Sequence, residues 1–372
     1  MLPSDAVTLS DGITLSPVRV HRWSWTTEQQ SPMSFYLPNN KDVKIVSEGQ
    51  RGEAFVKRVA SLACSECTRD DVILDVGANE GFYAMLGAAH GCGVFAFDLQ
   101  EGCAAPFESA RAHNARVLDR IAFDATRVRF VSRPLGLGAP LMLPAAPGVC
   151  GPMVRFKAGH AANNQTSTRR VVPLGGSALT SLIASYRPAS VALVKVDVEG
   201  AELTVLDTLQ PLLSAIQHLV VEVTPELWPG FGWRNRTQSF ARLARLLSDR
   251  GGGFGAARTS TGCTFTRPAE LQRHLSHRTW GRRMFYREGQ IDIWFARDLD
   301  LFWRASSRIT GFLGRGGERD DRYPDDPHNR TCPDQGARYM RPGRYHSAAH
   351  AEAERVKLCS HVCGDHPSAF PR

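Results

Sequence analysis

The amino-acid sequence predicts an α/β protein built on a doubly wound, mostly parallel sheet. The first observation is a strand, a glycine-containing turn, a helix and a second strand ending in an acid, all between Val72 and Asp98. This order is typical of a βαβ unit with parallel strands. The second observation is that strand-like and helix-like runs keep alternating as far as Ala296. Such alternation predicts helices on both faces of one sheet.

Length and composition bound the remaining possibilities. The 372 residues suffice for one large domain or two ordinary ones. With 42% hydrophobic and 22% charged residues, wholesale disorder, a collagen-like chain and a coiled coil are excluded. Residues 1–17 lack an apolar core stretch, and the longest charge-free run, 134–154, holds five prolines. We therefore expect neither a secretory signal nor a membrane span, and we favour the cytoplasm as the compartment.

The elements follow one another in a regular order between two irregular extensions. We predict an N-terminal extension at 1–46, one sheet domain at 47–298, and a loosely ordered C-terminal tail at 299–372. A Pro/Gly-rich insertion at 134–165 interrupts the alternation. Apolar runs predict strands at 72–76, 93–97, 128–132, 191–197, 218–223 and 291–296. Helical spacing predicts helices from 47 onward and at 82–90, 104–118, 178–185, 201–213 and 238–247.

The loop after the first predicted strand carries the chemistry of a nucleoside site. In doubly wound sheets, ligands bind outside the carboxyl ends of the strands. Gly77 and Gly81 lie in this loop and suit a tight turn with close backbone approach. Asp98, 23 positions after Asp75, is spaced to accept hydrogen bonds from the two hydroxyls of a ribose.

The charges in the same loop favour a cationic cofactor. The pattern is Gly77-x-Asn79-x-Gly81 rather than the full Gly-x-Gly-x-x-Gly of dinucleotide sites. Asp75 and Glu80 would repel a pyrophosphate, whereas they would attract a sulfonium and an ammonium group. The sequence therefore favours S-adenosylmethionine, and a nicotinamide-dependent oxidoreductase is the alternative.

Five motifs together resemble the FkbM-type family of class I S-adenosylmethionine-dependent methyltransferases. The resemblance covers roughly residues 50–298, and its most distinctive part is the Lys-x-Asp-x-Glu-Gly-x-Glu block that begins at Lys195. It implies a seven-stranded, Rossmann-like sheet whose last strand is antiparallel, and O-methylation, often of sugar hydroxyls. The motifs are VILDVGANEG (72–81), FAFD (95–98), LVKVDVEGAELTVL (193–206), LVVEV (219–223) and IDIWFAR (291–297).

The resemblance also implies roles for individual residues. Asp98 would hold the ribose of the cofactor, and Asp197 would face the sulfonium. The family usually has Glu-Pro where this chain has Asp98-Leu99, so the path of the following loop is expected to differ. The residues that would line the methionine end are Asp75, Gly77, Asn79 and Gly81.

A sugar hydroxyl is a poor nucleophile, so methyl transfer to it needs a general base. The candidate catalytic residues are Asp197, Glu199 and Glu222, each at or just beyond a strand end. Glu199 is the first choice, and the alternative is that it binds backbone amides at the start of the next helix. For Lys195, an ion pair with a neighbouring acid is preferred to a base of lowered pKa. No metal site is predicted here.

Other side chains near these strands have two interpretations. Trp228 and Trp233 either stack on a sugar face or pack over the sheet edge, and His218 is expected at the surface. Glu202 is a further carboxylate, already on the next helix. The nine cysteines are scattered, and we expect free thiols or a disulfide in the tail.

A basic segment, 233–297, permits a different class of function. It contains 13 Arg against four acids, which predicts either an anionic partner or a solvated helical face. A catalytically silent, methyltransferase-like binding module using this segment is the alternative to an enzyme. Nucleic acid is a less favoured acceptor than a glycan or small molecule, because no Asn/Asp-Pro-Pro-Tyr/Phe motif follows Asp197. Nothing in the sequence indicates an oligomeric state.

Overall fold

The structure, a computed structural model, covers most of the region predicted to form the sheet domain. The described residues are 51–118, 123–136, 150, 168–248, 252–260, 263–277, 290–299 and 302, together with the backbone of short strands at 7–8, 14–15, 20–25, 33–38 and 141–144. The chain divides into two compact units, Met1–Arg234 and Asn235–Arg372. The predicted tail lies outside the described residues, except for 299 and 302.

Fourteen strands lie among the described residues. In chain order they are β1 (Val7–Thr8), β2 (Thr14–Leu15), β3 (Val20–Trp25), β4 (Met33–Pro38), β5 (Asp71–Val76), β6 (Gly93–Phe97), β7 (Val128–Val131), β8 (Leu141–Pro144), β9 (Thr168–Val171), β10 (Ser190–Val196), β11 (Ile216–Val223), β12 (Ala256–Thr259), β13 (Thr264–Phe265) and β14 (Ile291–Ala296).

Seven α-helices accompany these strands in the described part of the chain. They are α1 (Arg51–Ser65), α2 (Phe82–Ala89), α3 (Ala104–Val117), α4 (Gly176–Ala184), α5 (Glu202–Leu209), α6 (Arg236–Ala244) and α7 (Pro268–His277). The predicted helix at 201–213 ends earlier, because Pro211 falls in a 3₁₀ segment, Gln210–Ala215. Within the described residues, no helix combines the length and apolar character needed to cross a bilayer.

The main sheet is mostly parallel, as predicted, but it has eight strands rather than seven. In the first unit, five parallel strands run in the order β11-β10-β5-β6-β7. In the second unit, β12 pairs antiparallel with both β13 and β14. The sequence patterns missed β12 and β13 because runs of four and two residues are too short to show a period.

The N-terminal extension contains regular structure, so the prediction of an irregular segment is wrong there. β3 pairs antiparallel with β4 from Val20 opposite Pro38 to Trp25 opposite Met33. β1 and β2 form a second, two-residue antiparallel pair. These strands are two to six residues long, and such short apolar bursts are a weaker signal in the sequence than the alternating strands and helices of a parallel sheet.

The centre of the sheet is buried on both faces. Every residue of β5 and β6, and all but the first residue of β10, is buried. Continuous burial explains why these strands are apolar runs rather than alternating ones. Each fully buried large apolar side chain stabilises the fold by roughly 1.5–3 kcal/mol, so this region is a rigid support for the loops at its carboxyl edge. Its largest fully buried rings include Phe95, Phe97 and Phe107.

Candidate functional site

The candidate site lies where the direction of the chain along the sheet reverses. From β5 the chain proceeds to β6 and β7 on one side, and it then returns to β10 on the other side of β5. The loops after β5 and β10 therefore leave their strands in opposite directions and open a crevice between them. The Asp197 amide donates to the Val76 carbonyl at 2.9 Å, which holds the two strand ends together.

Gly77 lets these two strand ends meet. Its φ is +80°, and the amides of Gly77 and Ala78 both donate to the Phe97 carbonyl at 2.9 and 3.0 Å. A Cβ atom at position 77 would overlap the carbonyl oxygen of Asp197. Gly77 is therefore a point of close backbone approach, as predicted, and the group that approaches it is the backbone of Asp197.

Asp98 organises the loop from its position after β6. Its Oδ2 accepts the Asn79 amide at 2.7 Å, and its Oδ1 accepts the Gln100 amide at 2.8 Å. Burial raises the pKa of Asp98, and these two backbone amides oppose the rise. The sequence-predicted residues Asn79 and Asp98 are thus in direct contact, while the ribose role of Asp98 stays a prediction.

Asp75 is almost completely buried. Its Oδ2 accepts the Ala84 amide of α2 at 3.0 Å, and its Oδ1 has no hydrogen-bond partner. Burial raises the pKa of Asp75 to about 6, against the opposing effect of Lys195. An unpaired acceptor of this kind is costly in the interior, and an ammonium group or a water bound beside it would satisfy it.

Lys195 is the buried cation of the site, and its ion-pair interpretation is confirmed. Its Nζ lies 2.9 Å from Asp197 Oδ2 and 5.0 Å from the centre of the Tyr83 ring. It also donates to the Gly77 carbonyl at 3.4 Å. Because Lys195 faces Asp75, Asp98 and Asp197, acids outnumber cations in this group.

The three predicted catalytic carboxylates come together at the edge of the crevice. One oxygen from each of Asp197, Glu199 and Glu222 lies within 4.8 Å of the others, and all three residues are partly buried. Asp197 and Glu199 lie in the loop after β10, and the neighbouring strand β11 supplies Glu222. Oxygen ligands at this spacing also suit a divalent cation, so the expected absence of a metal stays a prediction.

Glu202 serves the structure of the site. It is fully buried, and it accepts hydrogen bonds from the Gly200 amide (2.8 Å), Thr224 Oγ1 (2.5 Å) and Trp228 Nε1 (2.7 Å). Together these bonds tie the loop after β10 to the loop after β11. Trp228 has no exposed surface, so packing is the correct interpretation of this residue.

His218 corrects another expectation. It is only 2% exposed, because β11 begins at Ile216 and His218 lies inside the strand. Burial lowers its pKa to about 4. His218 is therefore a neutral core residue at physiological pH.

The basic segment does not form one uniform solvated face. Arg258 is 5% exposed, and the guanidinium of Arg297 lies 4.3 Å from the centre of the Phe254 ring. Arg245 and Arg273 are exposed. Part of the arginine content of the second unit therefore supports packing.

Cysteine pairing differs from the expectation of free thiols. Disulfides join Cys67 to Cys92 and Cys103 to Cys150, and Cys263 is also disulfide-bonded. Among the described residues, Cys64 is a free and buried thiol. The cysteines of the tail lie outside the described residues. Cysteine spacing alone does not fix such pairings, so the sequence carried no signal for them.

The close contact at Gly77 gives a test of the site's architecture. Gly77→Ala should lower the free energy of unfolding by about 3 kcal/mol, because a left-handed alanine costs about 1–2 kcal/mol and the added Cβ overlaps Asp197. Gly232→Ala is the matched control, since Gly232 has φ +88° and no atom within 4 Å of an added Cβ. It should lose only the backbone cost, about 1–2 kcal/mol. Equal losses in urea unfolding would contradict the close approach.

The family comparison agrees with this geometry. Residues 75–252 match the family model described as the methyltransferase FkbM domain. The match includes the loop after β5, the Lys195–Glu202 block and Glu222. No curated protein matches the chain. The crevice, its acids and this match lead to one conclusion: residues 75–252 of the chain form a methyltransferase FkbM domain.

Proposed function

We propose that the protein transfers a methyl group from S-adenosylmethionine to a hydroxyl group of a sugar or another small molecule. The observation that carries the donor assignment is the charge of the crevice. Asp75, Asp98 and Asp197 surround the two strand ends, and Lys195 neutralises only part of this charge. A partly desolvated group of acids attracts a cation more strongly than the same acids would in bulk water, because the local dielectric constant is lower. S-adenosylmethionine carries two cationic groups, a sulfonium and an ammonium.

The residues present fit this cofactor. Asp75, Gly77, Asn79 and Gly81 would line its methionine end, with the unpaired Asp75 Oδ1 as an available acceptor. Each oxygen of Asp98 accepts one backbone amide, and a carboxylate oxygen has room for a second hydrogen bond. Asp98 can therefore also accept the two ribose hydroxyls.

The acceptor side would use the three clustered carboxylates. When bound, S-adenosylmethionine supplies a methyl group on sulfur, which must lie about 3–3.5 Å from the acceptor oxygen and in line with it. The oxygen–methyl bond would form as the sulfur–methyl bond breaks and S-adenosylhomocysteine leaves, and we propose Glu199 as the base that takes the hydroxyl proton. Asp197 is instead held in an ion pair with Lys195. Glu222 is then left to orient the acceptor.

The disulfide bonds bear on the cellular compartment of the protein. Disulfides persist mainly in oxidising compartments and are rare in the cytosol. The bonds Cys67–Cys92 and Cys103–Cys150 support an oxidising compartment, and we propose it in place of the cytoplasm.

Donor binding should depend on the ionisation of Asp75. Its pKa of about 6 means that the carboxyl is neutral at pH 5 and attracts a cationic ligand less. We expect the Kd for S-adenosylmethionine to be about tenfold higher at pH 5 than at pH 7 in calorimetry. Asp75→Asn should give weak binding and remove most of this pH dependence. A flat wild-type profile would contradict the assignment.

The protonation of Asp75 at low pH would not weaken donor binding by unfolding the protein. Its pKa is higher in the folded protein than the ordinary 3.8, so its contribution to the free energy of unfolding is fully present below pH 3.8. That contribution is lost as the pH rises through about 6. As the pH rises, the contribution of Asp75 to the free energy of unfolding therefore decreases, whereas the affinity for S-adenosylmethionine is predicted to increase.

The acceptor class can be found with a labelled methyl donor. The protein would be incubated with cell-extract fractions of glycans, small molecules, lipids, proteins and nucleic acids. We expect label in the glycan or small-molecule fraction, and Glu199→Gln should lower turnover by about 10²–10⁴-fold. Glu270→Gln, in the second unit, is the control and should match the wild type. Label in nucleic acid would overturn the acceptor class, and unchanged turnover of Glu199→Gln would remove Glu199 as the base.

A further inference from the structure

One disulfide lies directly against the loop that the proposed function assigns to the methyl donor. Cys103 ends a 3₁₀ turn, Glu101–Cys103, which begins shortly after Asp98, and its side chain is fully buried. Its partner Cys150 follows 47 residues later in the sequence. The bond therefore fixes a residue of the Pro/Gly-rich insertion beside the crevice.

The contact with the loop is made through Asn79. The side-chain oxygen of Asn79 lies 3.0 Å from Cys150 Sγ and 3.9 Å from Cys103 Sγ. Neither sulfur of a disulfide carries a proton, so these are packing contacts of the amide rather than hydrogen bonds donated by sulfur. The disulfide thus occupies one side of Asn79.

Asn79 needs support, because it holds a backbone conformation that side chains rarely adopt. Its φ is +51°, in the left-handed region that costs energy for residues with a Cβ. Its amide donates to Asp98 on one side, and its side chain meets the disulfide on the other. Asn79 is therefore held at both its backbone and its side chain.

We propose that the Cys103–Cys150 disulfide is a positioning element of the methyl-donor site. It keeps Asn79 in the left-handed conformation and so preserves the shape of the loop from Gly77 to Gly81. This inference rests on the proposed function for its effect on the donor. The disulfide does not touch the reacting atoms, so it acts on donor affinity rather than on the methyl-transfer step.

The chain offers a matched control in its other described disulfide. Cys67–Cys92 lies in the same unit and closes a 25-residue separation, so its loss also removes one cross-link from the unfolded chain. Cys67 precedes β5 and Cys92 precedes β6. This bond is therefore at the amino ends of the strands, opposite the loop.

Hydrogen exchange of the unliganded protein tests the inference without any ligand. The amides of Gly77, Ala78, Asn79 and Gly81 are all hydrogen-bonded in the structure, so their exchange reports directly on the loop. In Cys103→Ser/Cys150→Ser they should exchange about tenfold faster, and in Cys67→Ser/Cys92→Ser they should match the wild type. Equal exchange in both double variants would overturn the inference.

Steady-state kinetics give a second readout that general destabilisation would not produce. In Cys103→Ser/Cys150→Ser, the KM for S-adenosylmethionine should rise about tenfold, while kcat at saturating donor stays close to wild type. Loss of kcat with an unchanged KM would contradict a positioning role. If the wild type failed to bind S-adenosylmethionine, the proposed function would fall, and the exchange comparison would still report whether the disulfide holds the loop.

Asn79→Gly keeps the inference testable if the cysteine variant does not fold. Glycine accepts the left-handed conformation, so this change removes the side-chain contact without backbone strain. Asn79→Ala also removes the contact but keeps the backbone cost of a left-handed residue with a Cβ. The loop amides should therefore exchange faster in Asn79→Ala than in the wild type, and slower in Asn79→Gly than in Asn79→Ala. Wild-type exchange in Asn79→Ala would refute the role of the contact.

Discussion

The approach of the Gly77 backbone to the Asp197 carbonyl is the constraint on which the site depends. It brings the ends of two adjacent parallel strands together at the point where the chain reverses its direction along the sheet. Asp75 precedes this contact and Asp197 forms part of it. Asp98 reaches it through Asn79. A side chain at position 77 would separate the strand ends and disperse the acids.

Because these acids are crowded together, the site carries negative charge that is only partly compensated, and it therefore favours a bound cation. Burial disfavours the charged form of Asp75, and Lys195 compensates only in part. Acids with perturbed pKa values are typical of functional sites, because a bound ligand can supply the positive charge that the protein itself does not provide. The deeply buried Glu202, by contrast, is satisfied by three hydrogen bonds, whereas one oxygen of Asp75 has no hydrogen-bond partner.

Sequence reasoning succeeded where the signal was local. The strand at 93–97 was predicted with its observed bounds because a buried parallel strand is an apolar run that stops at a turn. Asp98 follows the end of that strand, as predicted, and its role in holding a ribose stays a prediction. The role of Glu202 was missed, since its partner Thr224 is 22 residues away. His218 was misplaced because the strand begins two residues before it. Disulfide pairing and two-residue strands also depend on tertiary contacts that no local pattern encodes.

The crevice between the ends of β5 and β10 is the proposed binding site for S-adenosylmethionine. Hydrogen exchange with and without a saturating concentration of S-adenosylmethionine is the measurement that decides this assignment. Bound ligand should slow exchange in two separate segments, 77–81 and 197–200, with little change at the amino ends of the same strands. Binding that leaves both segments unprotected, or that protects a surface elsewhere, would contradict it.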